Sequence, residues 1–115
     1  MDIPADTVIS EAGLGQFEMN LMHSDDALRA ADDAWLFKLL VKGLARRHGF
    51  AASFMAKPYP DYAGSGMHTH FSVLNEQGDN IFDNGGPEGT PLLHKAIAGC
   101  LNGMNDSTLI FAPHM

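Results

Sequence analysis

The chain has 115 residues, of which 45% are hydrophobic and 18% charged, and its formal net charge is −7. This length holds at most one domain, or a piece of one, and the composition is that of a folding chain and not a disordered one. The acidic balance argues against a nucleic-acid or anionic-membrane surface, the single cysteine, Cys100, rules out an intrachain disulfide, and no apolar run approaches the roughly 20 residues of a membrane span. Met1-Asp2-Ile3-Pro4 carries no signal-peptide pattern, and a lone thiol fits a reducing compartment, so a cytoplasmic setting is expected.

Residues 7–11, TVISE, read as a short strand. Gly13 and Gly15 punctuate a turn, and residues 16–21 alternate again. Gln16, Glu18 and Asn20 fall on one face; Phe17, Met19 and Leu21 fall on the other. The segment EAGLGQFE is therefore a strand, a glycine-bearing turn and a second strand, with an acid at each end, Glu11 and Glu18.

Residues 24–48 form the clearest helix. Ser24 is the expected N-cap, with Asp25 and Asp26 in the first turn to complement the dipole. Leu28, Ala31, Trp35, Leu36, Leu39, Leu40, Gly43 and Leu44 recur at helical spacing, and this stripe is expected to pack in a core. Arg46, Arg47 and His48 suit the last turn, and Gly49 suits the position just past it.

Residues 50–56 read as a strand and residues 57–66 as a loop rich in small residues. From Met67 to Leu74 the pattern alternates. His68, His70 and Ser72 line one face of a predicted strand; Met67, Thr69, Phe71 and Val73 line the other. Residues 76–80 make a turn, and Ile81 and Phe82 resume a short return strand. A glycine-rich loop over residues 83–89 leads to Thr90, the N-cap of an amphipathic helix with Pro91 in its first position. Asn105 to Ser107 end that helix, and Cys100 on its apolar side is expected to be a small core residue. The tail, residues 108–115, is apolar and shows no cap. The whole reads as an α+β chain, an antiparallel sheet with flanking helices.

Glu11, Glu18, His68 and His70 are the candidate groups for chemistry. Carboxylates with one imidazole suit Mg²⁺ or Mn²⁺ better than zinc. Spacing alone leaves a metal site and a solvated sheet face as alternatives, because no compact motif such as H-E-x-x-H is present. His70 by itself reads as a ligand, a phosphate contact or a core histidine. Lys57 could neutralise a phosphate. His23, His48, His94 and His114 read as surface or cap residues. The Gly64–Gly66 turn allows close backbone approach to a ligand, yet matches neither G-x-G-x-x-G nor G-x-x-x-x-G-K-[ST].

Two ordered segments resemble one family. Lys57 to Ser72 (KPYPDYAGSGMHTHFS) resembles the ATP-binding signature of the glutamine synthetase family, and Glu11 to Glu18 resembles its Glu-x-x-x-Gly-Gln-x-Glu metal segment. The long helix followed by ASFMAKP stands between them in the expected order. The resemblance implies a glutamine synthetase-type catalytic domain, of which residues 1–115 are a part, without the N-terminal domain and the C-terminal remainder. It implies ATP and Mg²⁺ or Mn²⁺ as cofactors, with glutamate and an amine or polyamine as substrates. It further implies a homo-oligomer, dodecamer-like in the family. Residue by residue, Glu11 and Glu18 correspond to ligands of the metal nearer glutamate and His68 to a ligand of the second metal. His70 and Ser72 correspond to ATP contacts, and the Gly64 backbone to a glutamate contact.

Two departures bear on the amine. Ala63 stands where ammonia-using members usually have Asn, and the Glu11–Glu18 spacing is one residue shorter than in the common bacterial enzymes. With DNGGPEGTPLLHKAIAGCL and STLIFAPH, the chain is more similar to the γ-glutamylputrescine, or polyamine, synthetase branch. The expected activity is ATP-dependent joining of a polyamine to the γ-carboxylate of glutamate. Ammonia as substrate, or a non-catalytic metal-binding relative, are the alternatives.

Overall fold

The structure, a computed structural model, describes residues 3–111, and the chain falls into two units, Met1–Met67 and His68–Met115. The expected tail, with His114, extends beyond the described residues from position 112 onward. Among the described residues there are two antiparallel strands and three helices, in keeping with the expected α+β class.

In the first unit, β1 (Ala5–Ser10) pairs with β2 (Phe17–Leu21). Val8 faces Met19, Ile9 faces Glu18 and Ser10 faces Phe17, with a bulge between Ala5 and Val8. The turn is tight enough that the Glu11 N–H donates to the Gln16 carbonyl at 3.0 Å and the Gln16 N–H to the Gly13 carbonyl at 3.1 Å. Gly15 supplies the left-handed residue, φ +66, that this turn requires.

Helix α1 spans Ala27–Arg47. Its N-cap is Asp26, not Ser24: the Asp26 carboxylate accepts from the Leu28 N–H at 2.9 Å and the Arg29 N–H at 3.1 Å. Ser24 instead exchanges bonds with the Asp26 backbone, its Oγ accepting from N–H and donating to the carbonyl, each at 3.2 Å. Ser24 lies two residues too early to reach the free helical amides, so the nearer acid takes the cap and the first turn itself holds no acid. The C-terminus is as expected. His48 is the C-cap, Gly49 has φ +78, and the Phe50 N–H reaches back to the Ala45 carbonyl at 2.9 Å while the Gly49 N–H reaches Arg46 at 3.2 Å. Those two bonds form a Schellman motif.

The expected strand over residues 50–56 is irregular. Phe54 folds back to α1, edge-on to Phe37 at a centroid distance of 6.1 Å, with the Lys38 and Lys42 ammonium groups 5.8 and 5.9 Å from its ring centroid. Contact with the helix replaces a ladder for this segment.

The apolar stripe of α1 does not pack in a core. Leu28 is 79% and Trp35 60% exposed, and no hydrophobic residue among those described is buried. The only described residue that is buried is Asp33, held by the Arg29 guanidinium four residues earlier at 2.9 Å. A two-stranded hairpin and one helix offer too little facing surface to close a core.

In the second unit the predicted strand over residues 67–74 and its return at residues 81–82 reduce to one bridge, Leu74 with Asn80, and an Ile81 N–H to Val73 carbonyl bond of 2.9 Å. The alternating pattern is present, but a strand forms only where a neighbour accepts its ladder bonds, and beyond this bridge none does among the described residues. The turn at residues 76–80 is as expected, with Asn75 Oδ1 accepting from the Gln77 and Asp79 N–H groups at 3.0 and 2.8 Å. Helix α2 spans Pro91–Gly103 with Thr90 as N-cap and Pro91 at its start, as expected. A short helix α3 (Thr108–Phe111) follows where no element was expected. Cys100 is exposed and not a core residue, because the α2 face that carries it, with Phe71, Phe82, Ile97 and Leu101, is an open apolar groove.

Candidate active site

The hairpin brings the two acids of the EAGLGQFE segment to one face. Glu11 is joined across the turn to Gln16 and Ile9 is paired with Glu18. Pairs two residues apart along a ladder share a face. Glu11 and Glu18 are therefore diagonal neighbours, a relation that places Cβ atoms about 7 Å apart. Both are half-buried. Their oxygens are hard donors of the kind Mg²⁺ and Mn²⁺ take, and two carboxylates leave most of a six-coordinate shell to other ligands. Among the described residues, no three His, Cys, Asp or Glu side chains gather into one metal-binding group.

Gln16 ties this hairpin to the small-residue loop 48 positions further on. Its Nε2 donates to the Gly64 carbonyl at 2.9 Å and to Ser65 Oγ at 3.2 Å. Its Oε1 accepts from the Gly13 N–H at 2.9 Å. The amide orientation follows from the partners: the Gly13 N–H can only donate and the Gly64 carbonyl can only accept. Reading the sequence placed Gln16 on the Glu18 face but assigned it no role. The available signal was its place inside the Gly-Gln-x-Glu segment, beside two glycines.

The loop is held from its other side as well. The Ser65 N–H donates to the Ala56 carbonyl at 2.7 Å, and a Cβ on Gly64 would stand 2.8 Å from that same oxygen. Only glycine fits there, which leaves the Gly64 backbone open to solvent and to a ligand. Lys57 lies at the loop entrance, where its ammonium donates to the Tyr62 carbonyl. Tyr59 and Tyr62 stack edge-to-face at 5.9 Å and brace the same loop.

His68, His70 and Ser72 are exposed and begin the second unit. No ladder fixes them there, so the shared face expected of them rests on the sequence pattern.

The chain belongs to the glutamine synthetase family: the family description "Glutamine synthetase, catalytic domain" matches residues 1–115. It is 47% identical over 113 residues to gamma-glutamylputrescine synthetase PuuA of Escherichia coli (strain K12), covering 98% of this chain and 24% of that protein. It is 39% identical over 110 residues to the glutamate–isopropylamine ligase of a Pseudomonas species, covering 92% of this chain and 23% of that enzyme. A glutamine synthetase of Clostridium saccharobutylicum is 36% identical over 104 residues, covering 90% of this chain and 23% of that enzyme. The chain thus spans about a quarter of the length of these relatives. No solved structure matches it significantly.

Proposed function

We propose that the protein carrying this chain is an ATP-dependent ligase that joins an amine to the γ-carboxylate of glutamate, with putrescine or another polyamine preferred, and that residues 1–115 form part of a larger catalytic domain. The observation that carries the proposal is the Gln16 bridge, which sets the carboxylate hairpin against the Gly64 loop and so joins two segments that the sequence treats separately. The names of the relatives at 47% and 39% identity, both amine ligations to glutamate, support the amine class.

The chemistry explains the residue types. A carboxylate is a poor electrophile until one oxygen becomes a leaving group. In the proposed reaction a γ-carboxylate oxygen attacks the terminal phosphorus of ATP, ADP departs and γ-glutamyl phosphate forms. The amine nitrogen then bonds to the acyl carbon, phosphate leaves and the amine gives up a proton. Mg²⁺ or Mn²⁺, when bound, would supply charge to screen the phosphate oxygens. Glu11 and Glu18 would hold the ion nearer glutamate, and His68 the ion on the ATP phosphates. His70 and Ser72 would contact ATP, and the Gly64 backbone would contact glutamate. Lys57 keeps donors for a phosphate, since the Tyr62 carbonyl occupies one of three. The active enzyme is a homo-oligomer in this reading, dodecamer-like as the family resemblance implies. Ammonia remains the second reading, favoured by the match to a glutamine synthetase over 90% of the chain.

The test is ADP release by the intact protein with ATP, glutamate and, in separate reactions, putrescine, isopropylamine or ammonium. Release that needs both glutamate and putrescine is the expected result. A preference for ammonium selects the second reading, and no amine-dependent release with any of the three overturns the proposal.

A further inference from the structure

The Gly64–Ser65 peptide is pinned at both ends. Its carbonyl accepts from Gln16 Nε2 at 2.9 Å and its N–H donates to the Ala56 carbonyl at 2.7 Å. A peptide unit is planar, so holding both polar groups fixes the plane and, with it, the direction of the neighbouring Gly64 backbone. The pin on the carbonyl side is itself held. Gln16 Oε1 is anchored by the Gly13 N–H at 2.9 Å, and a Cβ on Gly13 would stand 2.6 Å from that oxygen. Two glycines therefore flank one glutamine, each absent a side chain that would break the arrangement.

We propose that Gly13, Gln16 and Gly64 form a clamp in which Gln16 is a positioning residue for the glutamate-binding backbone. The proposal rests on the reading above for the identity of the substrate but not for the clamp. The Gln16 amide is committed to Gly13, Gly64 and Ser65. It acts through Gly64, and it links that loop to the hairpin that bears Glu11 and Glu18. An amino-acid ligand bound at the loop would meet a preset Gly64 carbonyl with a lone pair left for its ammonium group, which lowers the ordering entropy charged to binding.

The experiment compares the intact protein with Gln16→Met, which keeps length and loses both donors and the acceptor. The expected result is a rise of about tenfold in KM for glutamate, with KM for ATP within twofold, the size that loss of one or two net hydrogen bonds gives. Hydrogen exchange at the Gly13 and Ser65 amides should quicken, while the central amides of α1 keep their protection. Gly13→Ala is the second variant. Gly13 lies outside the left-handed region, so the substitution disturbs the clamp by displacing Oε1 and not by straining the backbone. The double variant should be no worse than the more damaging single one, because both break the same link. Unchanged exchange at Gly13 and Ser65 overturns the clamp, whether or not the protein is a ligase. Equal rises in KM for glutamate and ATP, or additive effects of the two substitutions, reduce Gln16 to a general structural residue and also overturn the proposal. Quickened exchange in a protein without ligase activity keeps the clamp and removes only the substrate reading.

Discussion

Replacing Asp26 by Ala should weaken α1 far more than replacing Ser24 by Ala. Asp26 satisfies two of the four free amides at the helix start, Leu28 and Arg29. Loss of such a cap costs about 1 kcal/mol. Its carboxylate also opposes the positive end of the helix dipole, which adds about 0.5 kcal/mol at low salt. The sum is about 1.5 kcal/mol, roughly a tenfold change in the helix equilibrium. Ser24 bonds only to the Asp26 backbone, and those bonds are exposed. Its removal should cost below about 0.5 kcal/mol. An acetylated, amidated peptide of residues 22–51 isolates the effect, since a 21-residue helix is long enough to be partly formed alone. Circular dichroism at 222 nm as a function of temperature reads it. Asp26→Asn should retain most of the helicity, because the acceptor survives and only the charge is lost. The advantage of Asp26 over Asn at this position should shrink in 1 M NaCl. Equal or greater loss for Ser24→Ala would refute the assignment of the cap.

Three further outcomes are expected. Glu18→Ala in the intact protein should reduce Mn²⁺- or Mg²⁺-supported turnover by at least about 100-fold with an unchanged circular dichroism spectrum; near-normal turnover would make Glu18 a solvated acid. Arg29→Ala leaves the Asp33 carboxylate buried without its partner, and in the intact protein should cost about 1 kcal/mol of stability by denaturant unfolding, discounted from the buried-pair range because Arg29 is 58% exposed; no measurable loss would show that Asp33 finds water instead. The 115-residue chain by itself should self-associate and show no amine-dependent phosphate release, since its apolar side chains, Trp35 and Leu28 among them, are exposed. A monodisperse monomer by light scattering, or release above a Glu11→Ala, Glu18→Ala control, would contradict that.

Local sequence determined the elements whose bonds close within themselves. The hairpin follows from alternation on either side of Gly13 and Gly15, α1 ends where Gly49 permits a left-handed residue, and α2 starts where Thr90 and Pro91 cap it. The two candidate motifs are read from short segments for the same reason, since their residue types and spacing are local. Tertiary structure decided the rest. The Gln16 bridge spans 48 positions, and nothing in either segment alone specifies its partner. The alternation of residues 67–74 yields no strand because ladder bonds need a neighbour, which periodicity cannot supply. The stripe on α1 is apolar in sequence yet exposed in the fold, because burial is a property of facing surfaces and not of a helix. Asp26 displaced Ser24 as the cap for a geometric reason: two residues of chain decide which oxygen reaches the first free amides.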